Sequence, residues 1–244
     1  MKKLLILFVM AFAINVAAQE SVLLRLNYKK GDTYEMSVNV SQDMGTMMSM
    51  DMSVKTKQDI VNVTGDTYVC KMKISHISMD MSQGGMNMSY DSSKSDDELD
   101  ATGKILKTKM GPALQSVFTI KGNTLGEVSE MAMEPNVPEA KDLAGQFSSI
   151  VYPKKALSVG DTWKMSKSNQ GMNMNFVYKV TAITKINIVL AVTGSVSGAA
   201  EGTISGDAKI DRNSGTPLSS NLNMKMSVQG QEMISKMTMT MTKQ

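Results

Sequence analysis

The chain is poor in the residues that usually carry chemistry. It holds one cysteine and one histidine in 244 residues. A lone Cys70 excludes an intrachain disulfide. In Tyr68-Val-Cys70-Lys-Met72-Lys-Ile74 it falls on the apolar side, as a small buried residue does. A lone His76 removes most zinc-enzyme schemes and makes any Ser-His-Asp relay depend on one ring. There is no phosphate-cradling loop, because the Gly194–Gly206 stretch lacks both a following helix and a Lys-Ser/Thr ending. Aromatic residues are only 5% of the chain. After the first 18 residues no stretch is long and apolar enough to span a bilayer as a helix. The formal charge of +3 falls to +1 without Lys2 and Lys3, and the other lysines are scattered, which argues against a nucleic-acid surface.

Those first residues read as a signal peptide, 1–18. Lys2 and Lys3 form the positive start, Leu4 to Ile14 the short apolar core, and Val16-Ala17-Ala18 the small residues before a cut. No cysteine follows the cut, so a lipid-anchored lipoprotein is not indicated. The mature chain is expected to be exported, either periplasmic or secreted, with no transmembrane segment.

What the chain has in excess is methionine, 25 residues, many of them set at every second position. The clearest run is Met48-Ser-Met50-Asp-Met52-Ser-Val54. It recurs at Met79-Asp-Met81, Met86-Asn-Met88, Met172-Asn-Met174-Asn-Phe176, Met224-Lys-Met226-Ser-Val228 and Met237-Thr-Met239-Thr-Met241. Side chains of a strand point alternately to opposite faces, so each run puts sulfur on one side and Ser, Thr, Asn, Asp or Lys on the other. The spacing predicts long antiparallel strands sharing one methionine-rich face. An interior of unbranched thioethers is flexible and polarizable and specifies a single packing poorly.

In chain order, strands are predicted over Val22 to Tyr28 and Thr33 to Ser41. A long hairpin follows from Met48 to Val63 and Thr67 to Met81, turning at Thr64-Gly65-Asp66. Apolar parity changes between Ile74 and Ile77, which places a bulge near Ser75-His76. Met86 to Tyr90 is a short strand. Ser95-Asp-Asp-Glu98 reads as a capping box opening a helix that Gly111-Pro112 should end. Val117 to Ile120 and Gly126 to Ser129 form a hairpin around Lys121-Gly122-Asn123. Glu139 to Val151 is a second predicted helix. Strands follow over Met172 to Ile183, Ile186 to Ser197, Gly202 to Asp211, Thr216 to Val228 and Glu232 to Thr242. Glycines 194, 198, 202 and 206 mark sharp curvature or close approach.

Val159-Gly-Asp-Thr-Trp163-Lys-Met165 echoes Lys30-Gly-Asp-Thr-Tyr34-Glu-Met36, 129 positions apart. In each, a Gly-Asp turn delivers an aromatic residue to the apolar side of the next strand. The expected organisation is therefore a first β-rich half with a helix (19–134), a helical connector (135–153) and a second β-rich half (154–244). The fold class is mainly β (α+β): a curved antiparallel sheet or half-barrel built from two related halves, with two short helices.

The signal peptide, the two Gly-Asp-Thr strand starts, Tyr152-Pro153 and the Asp211–Gly215 hairpin resemble uncharacterised secreted β-rich proteins of the domain-of-unknown-function type. In architecture the pattern is similar to the periplasmic lipoprotein-carrier folds, in which a curved antiparallel sheet wraps helices around an apolar cavity. That resemblance implies a fold and leaves function to the site.

Catalysis finds little footing. His76 sits at the predicted bulge, where a solvent-facing histidine is the ordinary case, and Asp96, Asp97, Glu98 and Asp100 read as a helix start. The sequence points instead to a non-catalytic binding protein without a cofactor. Its apolar face would comprise Met36, Met50, Met52, Met79, Met81, Met172, Met174, Phe176, Met224, Met226, Met237 and Met239. Thioethers repack around varied shapes, which suits a lipid or other apolar ligand or partner. The same residues could simply fill a core. A second reading is copper(I), a soft ion that thioethers hold, through Met48, Met50, Met52, His76, Met79 and Met81. A third is a structural or interaction protein with no small ligand.

Overall fold

The computed structural model describes residues 20–137, 150–169, 171–228 and 230–244. The segment read as a signal peptide (1–18) and the helix expected over Glu139 to Val151 thus fall, wholly or nearly so, outside the described residues. The first part of the chain holds β1 (Ser21–Val22), β2 (Thr33–Asp43), β3 (Met48–Thr64), β4 (Thr67–Gln83), β5 (Met86–Asp91), α1 (Ala101–Gln115), β6 (Val117–Asn123) and β7 (Val128–Glu134). The second holds β8 (Leu157–Ser158), β9 (Thr162–Asn169), β10 (Met172–Ile183), β11 (Asn187–Gly198), β12 (Glu201–Asp211), β13 (Pro217–Val228) and β14 (Gln231–Lys243).

Twelve strands form one antiparallel sheet in the order β7-β6-β4-β3-β2-β14-β13-β12-β11-β10-β9, with β5 also paired to β4. The two parts of the chain are therefore one sheet, stitched where β14 pairs along the whole of β2. The sheet does not close, since β7 and β9 are its edges. The long hairpin lies where the sequence places it. Its ladder steps from Lys55↔His76 to Thr56↔Ile74, leaving Ser75 unpaired as the expected bulge. That extra residue restores the inward parity of Ile77, Met79 and Met81.

Three expectations are corrected. Val22 to Tyr28 is not a sheet strand: only Ser21–Val22 pairs, with β8, and the rest crosses the sheet as an extended segment. The β6–β7 hairpin turns after Asn123, at Thr124–Gly126, because Lys121 and Gly122 remain in the ladder. The helix is delayed at its start and does not stop at Gly111-Pro112. The Ser95–Glu98 box caps only a short 3-10 turn, Asp96–Glu98. Asp100 then caps α1, accepting from the Gly103 amide at 2.6 Å. Pro112 is carried near the C-terminal end of α1, where the intrahelical bond its nitrogen cannot make is the main loss. One α-helix and one 3-10 turn are present among the described residues.

The crossing segment explains the curvature. The Leu26 amide donates to Thr124 O and the next amide, Asn27, to Ser214 O, both at 2.8 Å. Neighbouring residues are ~3.8 Å apart along the chain, so the two acceptors lie within roughly 10 Å of each other. Thr124 is in the β6–β7 turn and Ser214 in the β12–β13 turn, at least five strand steps apart in the sheet. A flat sheet would hold those turns ~24 Å apart, at ~4.8 Å per step. At this end the sheet must bend toward its apolar side. A second tie runs beside the first. Tyr152 donates its hydroxyl to Gly215 O at 2.7 Å and its amide to Leu125 O at 2.8 Å. Arg25 joins the two crossing segments through Pro153 O and Lys154 O, each at 2.9 Å. Glycine is required where these segments pass: a Cβ at Gly215 (φ 67°) would collide with the Arg25 carbonyl, and one at Gly126 (φ 89°) with that of Ile150. Farther along the same arm, a Cβ at Gly206 would collide with the Asn221 carbonyl, the close approach expected of the glycine-rich strands.

Two buried clusters result. One fills the bent end, with Leu24, Leu26, Tyr28, Tyr152 and Leu157 of the crossing segments against Tyr34, Tyr68, Val180 and Ile188, and continues along β10–β13 to Val196, Ala200 and Met226. Tyr28 stands edge-on to Tyr68 at 5.0 Å. The other packs Leu99 and Ala113 of the helical region over Met72, Ile74, Ile77 and Phe118. Cys70 is fully buried in the first cluster, and burial pushes its thiol up to about 11, against the opposing effect of the Gln58 amide 3.1 Å from Sγ.

The two Gly-Asp turns share one geometry. Asp32 and Asp161 accept from the amides of Lys29 and Ser158 at 3.0 and 2.9 Å. Gly31 and Gly160 donate to Ile60 O and Val180 O, which each precede a bulge in the neighbouring strand. Tyr34 and Trp163 then stand on the apolar side.

If the crossing ties bend the sheet, Gly215→Ala should cost about 1–3 kcal/mol through backbone strain and collision, and Tyr152→Phe about 1 kcal/mol through its lost hydrogen bond. Urea unfolding measures both; two values below about 0.5 kcal/mol, the range of an ordinary surface change, would contradict this role.

Candidate functional site

The methionine positions converge on the inner face. Tyr90, Met79, Met52, Val40, Met237, Leu222, Gly206, Val192, Tyr178 and Trp163 stand opposite one another in an unbroken row from β5 to β9. One step toward the far end of the strands runs a second row: Met88, Met81, Met50, Gln42, Ser235, Met224, Ile204, Gly194, Phe176 and Met165. The alternation seen in the sequence has been kept in register across ten of the twelve strands. The outer face carries the complementary Ser, Thr, Asn, Asp and Lys.

The sequence-predicted residues fall into three groups by their cover. Met79, Phe176 and Met226 are buried. Met52 packs against the helical cluster, and Met172, Met174 and Met224 against the other. Met36, Met50, Met81, Met237 and Met239 are half-buried and belong to neither cluster. They occupy the middle and far part of the floor. Val38 and Val40 are buried there, also outside both clusters. Their same-face neighbours are Met36, Met52, Met237 and Met239, whose longer side chains shelter the short valines and take the exposure themselves.

The copper set is only partly assembled. Met50 faces Met81 and Met52 faces Met79 as direct cross-strand pairs, with Met48 next in line opposite Gln83. His76 is not with them. The bulge at Ser75 turns it to the outer face, where its Nδ1 lies 3.3 Å from Ser92 Oγ and 3.8 Å from Asp91 Oδ1. Both neighbours approach the same ring nitrogen, whereas a catalytic relay uses the two nitrogens for base and orienting acid. Among the described residues no cluster of three His, Cys, Asp or Glu could hold a metal ion.

Several residues of the floor escape a search for methionine. Gln42 and Ser235 interrupt the second row, facing each other across β2 and β14. Thr56 lies on the same face between Ile74 and Met36. The hydroxyls of Ser235 and Thr56 are buried without a hydrogen-bond partner. Parity alone could have placed all three, since each continues the inward alternation of its strand. Charge on this face of β2–β5 and β9–β14 is confined to two lysines. Lys243 is held at the bent end by Asp32 at 2.6 Å, and Lys167 lies on edge strand β9 opposite Met174, where burial lowers its pKa.

An open, bent antiparallel sheet with an apolar inner face defines the architecture. No protein-family model matches the chain, and no curated protein does. Among solved structures it is similar in fold to lipovitellin, in a structure described for its lipid–protein interactions. The TM-score is 0.56 at 8% identity, over 89% of this chain and 25% of that one. The chain thus spans about a quarter of lipovitellin's length. Among the described residues no helix is long and apolar enough to cross a membrane.

The graded cover of the floor can be read chemically. Under limiting peroxide, Met86 and Met47, 69% and 50% exposed, should reach the sulfoxide first, with Met79 and Met226 (9% and 7%) last. Peptide mass mapping orders them; equal rates at Met86 and Met79 would contradict the placement.

Proposed function

We propose that this is an exported, non-catalytic binding protein that holds a lipid or other apolar ligand on its methionine floor. The observation that carries the reading is the half-buried middle of the inner face. Met36, Met50, Met81, Met237 and Met239 form a nearly uncharged apolar surface outside both packed clusters. A core filled for stability alone gains most when such side chains are covered, at ~25 cal/mol per Å² of apolar area removed from water. Thioethers left half-open are suited to adapt to a chain of variable shape. The likeness in fold to lipovitellin, whose structure is described through lipid–protein interactions, is in keeping with this reading. The two shared Gly-Asp turns favour two related halves joined at β14–β2, forming a half-barrel around the ligand.

Copper(I) remains the second reading because of the facing pairs Met50–Met81 and Met52–Met79. It would now rest on thioethers alone, without His76.

Native mass spectrometry of freshly isolated protein distinguishes the two. The lipid reading expects apolar adducts that organic extraction removes; a mass identical before and after extraction counts against it. The copper reading expects Cu(I) kept against a competing chelator and lost in Met50/Met52/Met79/Met81→Leu, with His76→Ala unchanged.

A further inference from the structure

Resting on the lipid-binding reading, we infer that the ligand is an uncharged lipid whose ester carbonyl or hydroxyl seats between Gln42 and Ser235. Its hydrocarbon then lies along Met237, Met239 and Met36. The seat is the one polar pair in a row that is otherwise apolar or glycine from Met88 to Met165. Ser235 has no exposed surface, and its hydroxyl has no partner. Opposite it, the Gln42 amide makes no side-chain hydrogen bond among the described residues. Together they offer a donor-acceptor hydroxyl and an amide with both functions, enough to satisfy an ester or alcohol group. Around Ser235 on this face stand Met224, Met233 and Met237, unbranched side chains that can swing aside to admit a ligand.

Charge decides the class of lipid. Neither inner-face lysine neighbours Gln42 or Ser235 in the ladder: Lys167 stands opposite Met174 on edge strand β9, and Lys243 lies at the opposite end of β14, engaged by Asp32. A carboxylate or phosphate brought to Gln42 and Ser235 would be buried without a cation, which is costly. A neutral group meets no such penalty. Thr56 offers no second seat, because its cross-strand neighbours, Ile74 and Met36, are apolar. From Gln42 to Met36 the strand runs about 20 Å, at ~3.4 Å per residue, a length that fits an extended acyl chain.

The test uses the lipid-extracted mature protein and diphenylhexatriene, an all-hydrocarbon fluorophore, displaced by 1-monooleoylglycerol or by oleate. Monooleoylglycerol is expected to displace it at about tenfold lower concentration than oleate, the discrimination of roughly one buried charge-sensitive contact. Ser235→Ala and Gln42→Leu should each weaken monooleoylglycerol about fivefold and leave diphenylhexatriene binding unchanged. Ser235→Ala deletes an unsatisfied hydroxyl, so its thermal midpoint should not fall. Oleate binding as tightly as monooleoylglycerol, or both variants binding it like wild type, overturns the neutral seat while leaving the apolar floor standing. Failure of diphenylhexatriene to bind at all overturns the lipid-binding reading and the seat with it.

Discussion

Two consecutive backbone amides, Leu26 and Asn27, reach carbonyls in hairpin turns that a flat sheet would hold far apart. Leu26 is buried, so its backbone donor must find an acceptor, and together with Asn27 it finds one only if the sheet bends. Everything distinctive about the inner face follows. The arms are brought over the crossing segments, the apolar side becomes the inside of the bend, and the space at that end is filled by Leu24, Leu26, Tyr28, Tyr152 and Leu157. The same cluster continues along β10–β13 to Val196, Ala200 and Met226. Along β2 beyond Tyr34 the floor lies outside both clusters, and there Met36, Met50, Met237 and Met239 are left partly open.

Methionine suits this arrangement for a physical reason. Beneath the open part of the floor the sheet needs β-branched residues, and Val38 and Val40 supply them. Above those short side chains a surface of Leu or Phe would fix one shape. Long, unbranched thioethers cover the valines and keep the freedom to repack. The cost is poor specification of a single packing, which the ladder offsets by keeping strict register over ten strands.

Much of this was legible in the sequence because it obeys a period of two. The long β3–β4 hairpin, the bulge at Ser75 and the common side of Met50, Met81, Met174 and Met239 all follow from parity. What parity could not show lies outside the ladder. The stretch Leu24 to Tyr28 looks like a strand by composition, yet its hydrogen bonds go to turns 98 and 187 positions away, at Thr124 and Ser214. The helix cap at Asp100 competes with an equally good box at Ser95, and only packing of Leu99 and Ala113 chooses between them. His76 is close in sequence to the sulfur ligands, but the bulge at Ser75 turns it to the other face. Gln42 and Ser235 carry no sulfur and stand outside the methionine pattern, although strand parity places them on the same face as their neighbours.

The central claim is that ligand lies on the concave methionine face. It is tested most directly by moving the chain's single tryptophan into that floor, as Trp163→Phe with Met239→Trp, and adding a brominated monoacylglycerol. Bromine quenches indole emission at close range, so saturation should quench the Met239→Trp fluorescence strongly. Binding that persists in native mass spectrometry while the emission stays unchanged would contradict the claim.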